Sequence, residues 1–283
     1  MTRIFVAGAT GAVGRLLVPL LVEAGHQVTA ATRTAEGVER LRAQGAEGVR
    51  LDVFDRAAVA DALAAAAPEA VVHQLTALSG GNPVDNARIR REGTRNLVDA
   101  AKKAGVRRIV AQSISWAYEA GDVPADEATA LDTGAPEPRA TSVGGVVALE
   151  EAVAEIDEHV VLRYGTFYGP GTWYAPGGFI AGKLADGALP ANSGVSSFVH
   201  VDDAARAAVL ALGWPSGPVN IVDDEPAPAR AWVPVLAAAL DRPAPEPSEG
   251  GAGWERGAAN GKAAGLGWQP RHRTWRTGFS DQG

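Results

Sequence analysis

The sequence predicts an α/β fold built on a doubly wound parallel sheet, followed by a smaller mixed part. Residues 4–14 run from an apolar segment through three glycines into an amphipathic helical pattern. Short apolar segments such as Ala70–Leu75 then alternate with helical patterns, which is typical of parallel strands covered on both faces. After Gly165 the helical patterns become shorter and turn residues more frequent. We therefore expect a sheet domain over residues 1–165 and an intertwined, substrate-binding subdomain over residues 166–283.

The first strand and helix are joined by a glycine turn, formed by Gly8, Gly11 and Gly14 at G-x-x-G-x-x-G spacing. The first glycine permits the tight turn, the second lets the backbone approach a pyrophosphate, and the third lets helix and strand pack closely. The helix N-terminus then offers N–H groups and partial positive charge to phosphates. The turn predicts a Rossmann-like dinucleotide site, with a purely structural turn as the alternative. Three neighbours belong to the same predicted site: Thr10, Ala12 and Val13.

Composition and charge narrow the classes of partner. The chain has 283 residues, a net charge of −7, no cysteine and five scattered histidines. The acidic balance argues against nucleic acid, because phosphate backbones require clustered Lys and Arg. The missing thiols and the histidine spacing argue against disulfides and a metal site, and no apolar run reaches the length of a membrane span. Since Arg3 leads directly into the first strand, we expect no signal peptide. The absence of cysteine is typical of a cytoplasmic protein, and the expected partner is a small-molecule substrate.

The end of the second predicted strand favours NADP(H) as the cofactor. NAD-binding proteins usually carry Asp or Glu there to bind the ribose 2′-hydroxyl. This chain instead continues from the strand Gln27–Ala31 into Thr32, Arg33 and Thr34. A cation flanked by hydroxyls suits a 2′-phosphate, and no carboxylate is present to repel it. Arg15, directly after the glycine turn, is a second candidate phosphate ligand. Simple solvent exposure is the alternative for both arginines, and NAD(H) is the less favoured cofactor.

The remaining elements follow from periodicity, caps and helix breakers. Gly25 and Gly105 end helices, and Pro68 closes another. The predicted helices after the first are 35–44, 57–66, 85–104, 143–156, 179–185, 201–212 and 229–240. The predicted strands after the second are 49–53, 70–75, 108–113, 160–164, 197–199 and 219–222. An irregular stretch of roughly 20 residues, 118–139, is long enough to indicate a lid or a substrate loop.

Seven motifs are spread almost from end to end of the chain. They are Gly8–Gly14, Leu51–Val53, Glu92–Ala101, Arg107–Val110, Leu162–Gly171, Phe198–Asp203 and Leu266–Pro270. Together they resemble the extended short-chain dehydrogenase/reductases of the NAD(P)-dependent epimerase/dehydratase family. The resemblance implies that ligands bind at the carboxyl ends of the strands. Further cofactor contacts are expected there from Asp52, Val53, Leu75, Thr76, Ala77, Gln112, Tyr164, Gly165 and Thr166.

The catalytic groups that the resemblance implies are absent from the expected positions. The family uses a Ser or Thr that binds the carbonyl oxygen, and a Tyr whose pKa is lowered by a Lys so that it can exchange a proton during hydride transfer. Ile114 stands four residues before Tyr118, where the Ser or Thr belongs. Ser142 and Val146 stand where Tyr-x-x-x-Lys belongs. The chain therefore resembles an atypical member, and the usual catalytic residues are not transferred to it.

Other side chains are candidates for the missing roles. All four tyrosines lie between residues 118 and 174, in loops expected around the nicotinamide, where an aromatic lining suits a planar or hydrophobic substrate. The candidate catalytic residues are Ser113, Tyr168 and Tyr118, and the candidate substrate contacts are Trp116, Trp173, Tyr174 and His200. The alternatives are packing tyrosines with loop-capping hydroxyls, and a helix start at His200. We interpret His73 as a core histidine, and Glu150 and Glu151 as a solvated helix face.

Three functions remain open from the sequence. The favoured one is an NADP(H)-dependent oxidoreductase that reduces a carbonyl, imine or activated double bond of a small apolar or aromatic substrate. The others are a dehydratase, epimerase or cyclase without net redox change, and a sensor that binds NADP(H) without turnover. The resemblance also implies a homodimer formed through the helices over 85–104 and 143–156.

Overall fold

The computed structural model describes residues 1–77 and 81–280. The strands are β1 (Arg3–Ala7), β2 (Gln27–Thr32), β3 (Glu47–Arg50), β4 (Ala70–His73), β5 (Arg108–Ile114), β6 (Glu158–Tyr164), β7 (Thr166–Tyr168), β8 (Val195–Ser196), β9 (Phe198–His200), β10 (Gly217–Ile221) and β11 (Ala227–Pro228). The helices are α1 (Gly14–Glu23), α2 (Ala35–Ala43), α3 (Arg56–Ala66), α4 (Pro83–Arg88), α5 (Thr94–Lys103), α6 (Arg139–Val153), α7 (Phe179–Ala185), α8 (Val201–Leu210), α9 (Ala229–Ala239), α10 (Gly261–Gly265) and α11 (Trp275–Gly278). A π-helical segment, Ile89–Gly93, joins α4 to α5, and a 3-10 turn, Ala211–Gly213, follows α8.

The central sheet has seven parallel strands in the order β10-β6-β5-β4-β1-β2-β3. β1 pairs with both β2 and β4, so the strand order reverses between β1 and β4. In doubly wound sheets, ligands bind in the crevice outside the carboxyl ends of the strands at this reversal. Two short ribbons, parallel β7–β9 and antiparallel β8–β11, lie outside the central sheet. The predicted fold class is confirmed.

The chain divides into two compact units that are interleaved in sequence. The first unit comprises 1–113, 133–162 and 205–218, and the second comprises 114–132, 163–204 and 219–283. The core of the first unit is almost entirely aliphatic and includes Val71, Leu97 and Ile109, with Phe5 as its one fully buried aromatic residue among those described. The core of the second unit is aromatic and includes Tyr168, Phe198, Trp232, Trp275 and Phe279. The domain boundary expected at residue 165 stays a prediction.

Helix α1 contains a proline, and the structure compensates for it. Pro19 has no N–H to donate to the carbonyl of Arg15 four residues earlier, which would leave that acceptor without its helical partner. The side-chain amide of Gln44, which follows α2, donates to the Arg15 carbonyl oxygen at 3.3 Å. The first two helices of the chain are thereby linked next to the glycine turn.

Several element boundaries differ by one or two residues from those predicted, and three elements differ more. β3 ends at Arg50 rather than Val53, because the Asp52 carboxylate accepts the N–H of Phe54 at 3.0 Å and turns the chain. The helix predicted over 85–104 is interrupted by the π-helical segment. α6 begins at Arg139, four residues before the predicted start. No helix within residues 1–77 and 81–280 has both the length and the apolar character that a membrane span requires.

The end of β4 holds a fully buried histidine. His73 Nε2 lies 2.8 Å from Thr94 Oγ1, and the N–H of Leu75 donates to His73 Nδ1 at 3.2 Å. Because Nδ1 accepts a hydrogen bond, the ring is neutral and Nε2 carries the proton. Burial lowers the pKa of His73 from 6.5 to about 4, the backbone hydrogen bond opposes this shift, and the charge of Arg90 adds to it. The interpretation of His73 as a satisfied core residue is confirmed.

We predict that His73 makes the protein sensitive to mild acid. Above pH 6.5 the ring is neutral in both the folded and the unfolded chain. Below pH 6.5 the unfolded chain takes up a proton that the folded chain does not, so the free energy of unfolding falls by up to about 3 kcal/mol as the pH approaches 4. Urea unfolding at a series of pH values measures this loss.

The matched control is His73→Gln, whose amide can accept from Leu75 and donate to Thr94. The wild-type protein should lose more stability between pH 7 and pH 4.5 than the variant does. Identical pH profiles for the two proteins would contradict the assignment.

Candidate active site

The glycine turn lies at the carboxyl ends of β1 and β4, and its three glycines meet different surroundings. Gly8 has φ +86°, and a Cβ there would lie 2.5 Å from the carbonyl oxygen of Gln74. A Cβ on Gly14 would lie 2.3 Å from the carbonyl oxygen of Gly8. A Cβ on Gly11, which is exposed, would meet nothing closer than that same oxygen at 3.4 Å. Gly8 and Gly14 are required by backbone packing, whereas Gly11 keeps a surface open, and this arrangement fits a pyrophosphate.

The adenosine end of the predicted dinucleotide site has no carboxylate at the end of β2. Thr32 ends this strand, and its hydroxyl lies 3.1 Å from the hydroxyl of Thr10 in the glycine turn. Arg33 follows and is exposed. Thr34 caps α2, since its hydroxyl oxygen accepts the N–H of Gly37 at 3.0 Å. Arg15 is half-buried in the first turn of α1. The residues present therefore fit a phosphate-bearing ribose.

The other predicted cofactor residues of the first unit flank this turn. Two backbone amides after β4 are engaged within the unit, because Leu75 donates to His73 and Ala77 donates to Asn86 Oδ1 at 3.0 Å. The carbonyl of Val53 accepts from Asn96 Nδ2 at 3.0 Å. The remaining ones are Thr76 and Ala12, both half-buried, Val13 and Gln112, both buried, and Asp52, which is exposed. Asn86 and Asn96 anchor loops at the strand ends, a role that the sequence-based prediction missed for both.

Gln74 follows β4 and carries a buried amide without a hydrogen-bond partner. Both its Oε1 and its Nε2 are buried and lack a partner in the described part of the chain. Its carbonyl is the one that Gly8 packs against. A buried amide without hydrogen bonds lowers the free energy of unfolding, so this side chain is less favourable here than an apolar core residue would be. A polar group at this place is consistent with a ligand site at the β1–β4 reversal.

A buried polar cluster lies at the carboxyl end of β5. Ser113 is fully buried and its hydroxyl donates to Glu150 Oε1 on α6 at 2.7 Å. Arg90, on the π-helical segment, is 3% exposed. Burial lowers the pKa of Arg90 from 12.5 to about 10, and the negative charge of Glu150 opposes this shift. Ser113 and the half-buried Glu150 are therefore hydrogen-bonded to each other, and the negative charge of Glu150 acts on the buried guanidinium of Arg90.

This cluster corrects one interpretation and adds one residue. The prediction of a solvated helix face holds for Glu151, which is exposed, and holds only in part for Glu150, which is half-buried and accepts the hydroxyl of Ser113. Arg90 was missed, because the π-helical segment that carries it does not follow the periodicity of an α-helix. Ser113, a candidate catalytic residue, donates its only proton to a carboxylate. A catalytic role for Ser113 stays a prediction.

The tyrosines of the second unit are all buried. The hydroxyl of Tyr118 donates to Asn220 Oδ1 and accepts from Arg163 at 3.1 Å. The hydroxyl of Tyr164 donates to the carbonyl of Ala204 at 3.2 Å. Tyr168 is 0% exposed and packs edge-on against Phe279, with ring centroids 5.4 Å apart. Their burial favours the packing alternative, and a catalytic role for Tyr118 or Tyr168 stays a prediction.

The predicted substrate contacts fall into two groups within the second unit. His200 and Tyr174 are buried and belong to the surroundings of Tyr168, whose ring lies 5.2 Å from that of His200. Burial raises the pKa of Tyr174 above its usual value. Trp173 stacks at a tilt against Phe179, and Trp116, 38% exposed, lies 6.3 Å from Trp254. Tyr168, Tyr174 and His200 therefore lie together in the second unit, whereas Trp116 contacts Trp254 instead.

Gly165 and Thr166, also predicted cofactor contacts, are held by backbone hydrogen bonds of the second unit. The N–H of Gly165 donates to the Ile221 carbonyl at 3.0 Å, and that of Thr166 donates to the Ser197 carbonyl at 2.8 Å. A Cβ on Gly165 would lie 2.7 Å from the same Ser197 oxygen. Only glycine fits this turn after β6. Their contact with the cofactor stays a prediction.

Two buried carboxylates fix the C-terminal segment of the second unit. Asp203 accepts the N–H groups of Arg271 and His272, each at 2.9 Å. Asp223 accepts the N–H of Trp275 at 3.0 Å. Burial raises the pKa of Asp223 from 3.8 to about 8, while its backbone hydrogen bonds oppose the shift. These carboxylates hold backbone, and within the described residues no group of side chains is arranged to bind a metal ion.

Comparisons with known proteins agree with this architecture. A family model described as the NAD dependent epimerase/dehydratase family matches residues 4–221. A Streptomyces sp. protein named 3-diazoavenalumate denitrifying reductase is 45% identical over 98% of this chain and 99% of its own length. The Thermus thermophilus UDP-glucose 4-epimerase in complex with NAD is 26% identical, with a TM-score of 0.76 over 99% of this chain and 97% of that one.

A further solved structure is similar in fold alone. The Campylobacter jejuni UDP-Glc/GlcNAc 4-epimerase has a TM-score of 0.80 at 17% identity, over 100% of this chain and 98% of that chain.

We predict that the glycines of the turn separate folding from cofactor binding. Gly14→Ala places a methyl group against backbone atoms that cannot move aside, so the free energy of unfolding should fall by about 1–3 kcal/mol. Gly11→Ala should leave the unfolding midpoint in urea unchanged and weaken NADPH binding by about tenfold or more, because its methyl group occupies the approach of the pyrophosphate. Wild-type NADPH affinity in Gly11→Ala would contradict the assigned role.

We also predict that the charge balance at Arg90 is essential for stability. Glu150→Gln keeps the shape of the side chain but leaves the buried guanidinium without its counter-charge, which should cost about 2–4 kcal/mol in urea unfolding. Ser113→Ala removes only one hydrogen bond and should cost about 1 kcal/mol. An equal or smaller loss in Glu150→Gln than in Ser113→Ala would contradict the proposed balance.

Proposed function

The chain belongs to the NAD dependent epimerase/dehydratase family, and we propose that it is an NADP(H)-dependent reductase that removes a diazo group from a small substrate. The observation that carries the proposal is a glycine turn fit for a dinucleotide, combined with Ser142 and Val146 where the family's Tyr and Lys belong. Ser142 stands in place of the Tyr that exchanges the proton, and its aliphatic hydroxyl is a far weaker acid than a phenol. Val146 stands in place of the Lys, is fully buried and supplies no positive charge. These two replacements favour a reaction that accepts a hydride without the family's proton donor.

Reduction of a carbonyl needs such a donor, because the oxygen takes up a proton as the hydride arrives. Loss of a diazo group from a diazonium carbon does not. When bound, NADPH would supply the hydride for the new C–H bond, and the C–N electron pair would leave with N₂, so that the positive charge of the substrate is neutralised. One cofactor is oxidised for each N₂ released, and no proton enters the balance.

The 45% identical Streptomyces protein supports this substrate class, since its name states a diazo compound, nitrogen loss and a reductase. The NAD complex of the Thermus epimerase and the NAD dependence stated for the family support a nicotinamide dinucleotide. The preference for NADP(H) rests on this chain's own Arg33 and on the neutral Thr32 at the end of β2. Glycine-turn amides would hold the pyrophosphate, and Arg33 the 2′-phosphate.

We predict that turnover transfers hydride without a solvent proton. Diazotised aminobenzoates and aminocinnamates serve as probes, followed by NADPH absorbance at 340 nm and N₂ release against a reaction without protein. NADPH deuterated at C4 should place deuterium on the carbon that lost nitrogen, whereas unlabelled NADPH in D₂O should not. Deuterium from solvent at that carbon, or turnover of ketones and imines alone, would contradict the proposal.

Tyr118→Phe and Tyr168→Phe are the matched control variants that test whether either phenol donates a proton during turnover. Each keeps the buried ring and removes only the hydroxyl. Under hydride displacement both variants should retain turnover within about twofold of wild type, provided that they fold. A loss of about 100-fold in either variant, with NADPH affinity intact, would instead identify that phenol as a general acid.

A further inference from the structure

We infer that Arg50 is a specificity-determining residue, which together with Arg33 forms a two-arginine fork for the 2′-phosphate of the dinucleotide. The inference rests on the proposed use of NADP(H) and adds a residue on a different strand. In the sequence Arg50 lies 17 residues after Arg33 and precedes the Leu51–Val53 motif. Neither its spacing nor its neighbours indicate a ligand.

Strand pairing brings the two arginines together. Thr32 and Arg50 are opposite each other in the parallel ladder of β2 and β3, and each is the last residue of its strand. Arg33 directly follows Thr32. The Nε of Arg50 donates to the main-chain carbonyl of Arg33 at 3.3 Å, which holds the guanidinium across the end of β2. Both side chains are exposed at the carboxyl edge of the sheet.

The two arginines differ from many others in the chain by their lack of an acidic partner. Within residues 1–77 and 81–280, neither guanidinium forms an ion pair. Other arginines form ion pairs with carboxylates, among them Arg3, Arg42, Arg56, Arg88, Arg95, Arg108, Arg273 and Arg276. In a chain of net charge −7, two adjacent cations without a carboxylate are a site for an anion from outside the chain. With Nε bound to the carbonyl, the terminal nitrogens of Arg50 can form a fork with phosphate oxygens.

The surroundings complete the phosphate site. A carboxylate at the end of β2 would accept a ribose hydroxyl and repel a phosphate, but Thr32 stands there and its hydroxyl lies beside that of Thr10. The Thr34 oxygen accepts from Gly37, so its hydroxyl hydrogen can be donated outward. The acidic side chains nearest in sequence are Asp52, two residues after Arg50, and Glu36, three residues after Arg33, and both are exposed. The Asp52 carboxylate accepts the N–H of Phe54, and Glu36 lies in the first turn of α2. This combination discriminates a phosphate from a hydroxyl at the ribose 2′ position.

The test compares Arg50→Gln with Arg33→Gln and the double variant. Calorimetry gives the dissociation constants of NADPH, NADH, 2′,5′-ADP and 5′-AMP. Arg50→Gln should weaken NADPH and 2′,5′-ADP by about tenfold, because it removes charge-assisted hydrogen bonds to phosphate. NADH and 5′-AMP should change by less than about twofold. Arg42→Gln, in the last turn of α2, is the matched control, because it removes the same charge and should leave all four affinities unchanged.

The outcomes separate the inference from the function on which it rests. A wild-type protein that binds NADH more tightly than NADPH would overturn the proposed cofactor and with it the fork. A wild-type preference for NADPH that Arg50→Gln leaves intact, while Arg33→Gln abolishes it, would overturn the role of Arg50 and leave the cofactor proposal standing. Equal weakening of NADPH and NADH by Arg50→Gln would likewise overturn its role in specificity.

Discussion

The whole nucleotide end of this protein depends on contact between backbone segments without intervening side chains. The carbonyl of Gly8 fills the space where Gly14 would carry a Cβ, and the carbonyl of Gln74 fills the space beside Gly8. These two contacts set the start of α1 against the ends of β1 and β4. Gly11 is left with an open face, and Thr10 is brought beside Thr32. The turn therefore fixes the backbone next to which the cofactor contacts expected in the first unit lie.

Much of the fold was predictable because local chemistry and tertiary structure agree. The glycine spacing, the alternation of apolar strands with helices and the helix ends at Gly25 and Gly105 all indicated the observed elements, and α7 has its predicted bounds. Errors occurred where a tertiary contact decides a boundary. Asp52 ends β3 early through its own side chain, and pairing with β2 stops at Arg50. Neither effect has a periodic signature in the sequence.

The candidate site was less predictable than the fold, for a physical reason. Whether a hydroxyl is available depends on its partners, and these come from distant parts of the chain. Tyr118 is bound by Asn220 and Arg163, and the half-buried Glu150 accepts the hydroxyl of Ser113. The absence of Tyr-x-x-x-Lys, in contrast, is a property of adjacent residues and could be seen at once. What the chain lacks was therefore easier to predict than what replaces it.

The π-helical segment Ile89–Gly93 changes the phase of the helical stretch that it interrupts. A π turn closes over one residue more than an α turn, so α4 is rotated by about 100° relative to a continuous extension of α5. With this phase shift, Asn86 of α4 binds the loop after β4 and Asn96 of α5 binds the loop after β3, while Arg90 is buried between them in sequence. A helical pattern with a constant period of 3.6 residues, drawn back from α5 through this segment, assigns Arg90 to the wrong face.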